Sequence, residues 1–185
     1  MTTIAGLPAH ILLVHAVVVL VPLTAVLTVL VAVWPAARAR LALPNAVLAV
    51  ATLVAVPLTT DAGEWLEHHI ARTDLVRIHA ELGDTMLPWA IGLALVAVTV
   101  AVRDWLGARS VARGRVPVGA GAPAAPEPTS ALGGRAVTIA LAALAVVVAV
   151  GSVVTVYRIG DSGARASWTG QFSQQATTRV PAQGG

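Results

Sequence analysis

Four long runs of alanine, valine and leucine decide what this chain can become. A helix that crosses a bilayer needs about 20 mostly apolar residues, and four stretches reach that length, over 11–34, 43–60, 78–103 and 135–157. The predicted fold class is therefore all-α, an integral membrane four-helix bundle. It occupies residues 1–170, with a flexible linker over 107–134 and a disordered tail over 171–185. Composition agrees, since 57% of the 185 residues are hydrophobic and only 11% are charged. Ala37, Arg38 and Ala39 resemble a signal-peptide cleavage site. No arginine or lysine precedes the first run, however, and its 24 residues exceed a signal core, so the expectation is a retained span.

There is no cysteine, which excludes disulfides, iron–sulfur clusters, thiolate haem ligands and covalent haem attachment. All 12 basic residues are arginine. They cluster near the ends of the apolar runs, so membrane topology explains them and no nucleic-acid partner is expected. With four spans, Arg38, Arg40, Arg103, Arg109, Arg113, Arg115 and Arg135 share one side. Arg72, Arg77, Arg158, Arg165 and Arg179 share the other with seven acids. The positive-inside rule makes the first side cytoplasmic and both termini extracytoplasmic.

Whatever the orientation, all five histidines lie toward one membrane face, with Asp61, Glu64, Glu67, Asp74, Glu81, Asp84 and Asp161. Counting a rise of about 1.5 Å per residue from the opposite ends of the runs sorts these groups into two layers. The deeper layer holds His15, Asp61 and Glu64. The shallower one holds His10, His68, His79 and Asp161. Gly83, one turn after His79, is expected to admit a close neighbour. Pro22 should bend the first helix, Trp34 and Pro35 close it, and Arg38 and Arg40 follow in a tight turn before a second helix that starts near Pro44. Below His15 the polar groups read as span residues are Thr24, Thr28, Thr52, Thr138 and Ser152.

The Gly6-Leu7-Pro8, His10 and His15 pattern, the Gly63, Glu64, Leu66 stretch, the His79, Glu81, Leu82, Gly83 stretch and the Gly160, Ser162, Gly163, Trp168 ending together resemble a bacterial membrane family. That family is catalogued as domain of unknown function 2231. The resemblance implies a four-helix bundle in the bacterial cell membrane, with histidine at positions 10, 15 and 79. Relatives joined to redox domains tilt the implied role toward electron transfer, with a redox partner protein on the extracytoplasmic side. Asp161 stands where relatives often have histidine, which suits a non-haem metal or a proton relay better than an axial haem ligand.

Three readings follow. In the first, His10 and His79 bind haem b, or His10, His79 and Asp161 bind a divalent metal. In the second, the chain is a membrane anchor or assembly partner in which His15 hydrogen-bonds to Asp61 or Glu64. In the third, His15, Asp61 and Glu64 form a proton relay or the entrance of a small-solute path. No catalytic residue is assigned, and enzymatic activity is not expected of the chain by itself.

Overall fold

The computed structural model describes residues 3–4, 6–114 and 129–171. A two-residue ladder comes first, with β1 (Thr3–Ile4) antiparallel to β2 (Leu7–Pro8) around Gly6, whose φ of 81° suits a residue without a β-carbon. Five helices follow: α1 (Ala9–Val33), α2 (Pro35–Glu67), α3 (Asp74–Asp84), α4 (Met86–Gly114) and α5 (Thr129–Trp168). Only Thr85 separates α3 from α4, so together they form one rod. Four rods are thus long and apolar enough to cross a membrane.

α1 turns into α2 at a single residue. Trp34 is extended (φ −113°, ψ 110°) because the residue before a proline is pushed out of the helical region, while Pro35 suits the first position of α2. The expected turn containing Arg38 and Arg40, and a helix start near Pro44, are corrected here: both arginines are already helical. Arg38 donates from Nε to the Val31 carbonyl at 2.8 Å and from Nη2 to that of Ala32, satisfying carbonyls that the end of α1 leaves open. Pro22, Pro44 and Pro57 all lie inside helices.

Other boundaries also shift outward. α2 continues through Gly63 to Glu67, so Asp61 and Glu64 are helical. α5 does not end near residue 157 but runs through Gly160 and Gly163 to Trp168. The expected linker is helical at 107–114 and 129–134; its remainder, 115–128, and the tail from 172 onward lie outside the described residues.

In the bundle, α1 and α4 lie diagonally opposite, each flanked by α2 and α5, and α3 extends over α5. The core is built of small side chains that let helices approach closely, with Leu93 its largest fully buried member. At the α4–α5 contact the Trp89 indole lies directly on Gly151, and Val148 lies against Gly92. Between α1 and α2, Thr24 and Thr52 share a hydrogen bond of 3.0 Å, and Asn45 donates to Thr28 at 3.1 Å. Asn45 is completely buried and its Oδ1 has no partner among the described residues. It adds a polar core group to those expected below His15, whereas Thr138 is only half-buried.

The outer surface of the rods is apolar. Val19, Val26, Leu43, Val47, Leu95 and Ile139 are each more than 60% exposed. Continuous apolar surface of this kind is unstable in water and ordinary against lipid, so the architecture is compatible with a multi-pass membrane protein.

Candidate functional site

At the end of the bundle opposite Trp34, His10 near the start of α1 faces His79 on α3. The ring centroids are 6.3 Å apart and the ring planes meet at 79°. Both rings are held in the same way. His10 Nδ1 lies 3.0 Å from the carbonyl oxygen of Thr59 on α2. His79 Nδ1 lies 3.2 Å from the carbonyl oxygen of Ile159 on α5 and 3.0 Å from Ser162 Oγ, whose own proton goes to the same carbonyl at 2.8 Å. A carbonyl oxygen only accepts, so each Nδ1 carries a proton, and in the neutral ring each Nε2 keeps a free lone pair.

Each ring also leans on a glycine one turn beyond the carbonyl that anchors it. A β-carbon at Gly63 would lie 2.9 Å from His10 Cε1, and one at Gly163 would lie 2.9 Å from His79 Cε1. The two histidines therefore repeat one local arrangement: Nδ1 to the carbonyl of residue i on the facing helix, ring against glycine at i+4. Helical geometry puts i and i+4 on one face, so a carbonyl and its glycine seat are presented together. Gly83, the expected point of close approach, has open space around it instead.

The other expected groups are not part of this arrangement. Asp161 is turned to Arg165 at 2.9 Å, a partner its own helix supplies at i+4. Among the described residues no group of three or more His, Asp or Glu side chains is placed to hold a metal ion, so the set of His10, His79 and Asp161 is not assembled. His15 is exposed and donates from Nδ1 to the carbonyl of Ile11 at 2.6 Å, within its own helix, rather than to Asp61 or Glu64. Those two carboxylates are exposed. His68 accepts from Arg72 at 3.1 Å, and His69 stacks on Trp65 with centroids 4.0 Å apart.

Thr59, Ile159 and Ser162 were not singled out as partners from the sequence. A backbone carbonyl has no sequence signature, and only the glycine four residues further on could have marked each one. Fold and site together describe a four-rod apolar helical bundle with a paired-imidazole cluster at one end. Compared with family models, curated proteins and solved structures, the chain matches none.

Proposed function

We propose that the chain is a multi-pass membrane protein in which His10 and His79 supply two imidazole ligands to one redox or metal centre near one membrane face. The observation that carries this reading is the matched anchoring of the two rings, whose centroids are 6.3 Å apart: both Nδ1 atoms are fixed and, among the described residues, neither Nε2 atom has a hydrogen-bond partner. Ligating imidazoles characteristically donate their other nitrogen to a carbonyl or carboxylate.

Of the two groups considered, haem b suits the donor set better, because two imidazoles would suffice to hold it and, among the described residues, no third His, Asp or Glu side chain is placed with the pair. When bound it would supply one-electron chemistry. The protein's part is to hold each ring by its Nδ1 proton and to set its angle with a glycine seat. The stretches that resemble domain of unknown function 2231 include both seats, Gly63 and Gly163. The arginine distribution supports an extracytoplasmic histidine end, accessible to a redox partner on that side of a bacterial cell membrane.

A second reading has its own support. The same two bonds tie α1 to α2 and α3 to α5, so the pair also suits an interhelical clasp in a membrane anchor. The relay reading lacks comparable support, since His15, Asp61 and Glu64 are exposed and share no hydrogen bond with one another among the described residues.

The test is the absorption spectrum and elemental analysis of the full chain purified in detergent. A Soret band, or one bound metal, that is lost in both His10→Ala and His79→Ala is the expected result. A colourless, metal-free protein in which both variants merely melt earlier would overturn the ligand reading in favour of the clasp.

A further inference from the structure

At the opposite end of the bundle two cavities meet. One, of about 640 Å³, opens between the ends of all four rods and is lined by Arg38, Arg103, Asp104 and Thr138. The other, of about 770 Å³, runs between α2 and α4 and is lined by Arg38, Arg40 and Trp105 at one end and by Val47, Val50 and Val98 along its length. Arg38 and Asp104 belong to both, so the two form one continuous site with a charged head and an apolar groove.

The charges at the head are unbalanced. Three arginines line the two cavities, Arg38 in both, Arg103 in the first and Arg40 in the second, against a single carboxylate, Asp104, and none of the four is in an ion pair among the described residues. Arg38 is fixed in place by its bonds to the Val31 and Ala32 carbonyls, so its charge is positioned before any ligand arrives. Trp105 carries Arg109 over its ring at 3.5 Å, an arrangement typical of the level where lipid headgroups begin. From Arg40 to Val50 the groove follows ten residues of helix, about 15 Å, which is half of a hydrocarbon core about 30 Å thick. That is the depth of one leaflet.

We propose that this site binds one anionic phospholipid, its phosphate against Arg38, Arg40 and Arg103 and one acyl chain along Val47, Val50 and Val98. Charge complementarity selects the headgroup: basic pockets between spanning helices take anionic lipids, and a zwitterionic headgroup would bring no net charge to offset the arginines. The carboxylate of Asp104 is placed to accept from a hydroxyl on the headgroup. The inference rests on the four rods spanning a membrane and is independent of the histidine pair.

The experiment is a thermal-shift titration of the detergent-solubilised full chain with phosphatidylglycerol, phosphatidylcholine or inorganic phosphate. Phosphatidylglycerol alone should raise the melting temperature. Arg40→Gln with Arg103→Gln, which leaves the Arg38 cap intact, should weaken its apparent affinity about 30-fold. Val50→Trp, which fills the groove from a lipid-facing position, should abolish the shift without lowering the melting temperature of the lipid-free protein. An equal shift with phosphatidylcholine or with phosphate alone, or one that survives both variants, would overturn the proposal. So would a lipid-independent dimer that Val50→Trp converts to monomer, since the groove would then belong to a second copy of the chain.

Discussion

The imidazole of His10 and the backbone of Gly63 are in such close contact that a β-carbon at position 63 would lie 2.9 Å from Cε1 and 3.0 Å from Nδ1. His79 and Gly163 repeat the contact at 2.9 and 3.2 Å on the other side of the site. Histidine position is therefore governed by residues that carry no side chain.

Gly63→Ala should push His10 off its seat and break its bond to the Thr59 carbonyl. The expected cost is about 1–3 kcal/mol, in the range of overpacked interiors, read as a lower melting temperature in detergent. Gly83→Ala is the matched control, because nothing lies within 4 Å of its added carbon. There, alanine's better helix propensity should leave stability unchanged or raise it by up to about 1 kcal/mol.

Gly151→Ala should be among the most damaging single changes in the bundle. The added carbon overlaps the ring of Trp89, which is itself packed against the Ala25, Leu93, Val148 and Ala149 cluster. A loss of about 3 kcal/mol is expected, and it should shrink when Trp89→Leu is introduced first. Equal costs in both backgrounds would show that the contact does not limit helix approach.

Asn45→Leu should change stability by less than about 1 kcal/mol, since the change removes both a modest hydrogen bond to Thr28 and an unpartnered carbonyl. Asn45→Asp should cost about 2.5–3.5 kcal/mol, because it sets a charge deep in an apolar span. Thermal unfolding of both variants in one detergent makes the comparison.

Reporters fused at the two ends of the chain test orientation. A phosphatase that needs the extracytoplasmic side should be active after Gly185, and a cytoplasm-dependent fluorescent protein fused there should be dark. The reverse pattern would invert the membrane orientation while leaving the site geometry untouched.

The four rods were legible in the sequence because an apolar run of 20 residues has few other uses. Their ends were less so. Pro35 reads equally as the end of one helix and the start of the next, and Arg38 and Arg40 read as a turn although Arg38 caps the helix before its own. For the site, comparing heights along the rods grouped His10 with His79. It also grouped Asp161 with them, because height says nothing of azimuth and Arg165 lies one turn away on the same helix. His15 was expected to reach a neighbouring carboxylate, yet its own helix offers a nearer acceptor in the Ile11 carbonyl. Asn45 was overlooked as a polar core group, although it stands among alanines and leucines.

The corner at Trp34 has a consequence for how the chain is made. α1 and α2 leave it as a hairpin whose far end is tied by His10 to the Thr59 carbonyl, and the rod of α3 and α4 is tied to α5 by His79. Each tie lies within one half of the polypeptide, and the two rings meet where the halves join. A ribosome thus releases the first hairpin with its own fastening complete before the second exists. Two separately translated halves, divided within 68–73, should therefore each close their own tie and meet in the bilayer through α1 with α5 and α2 with α4.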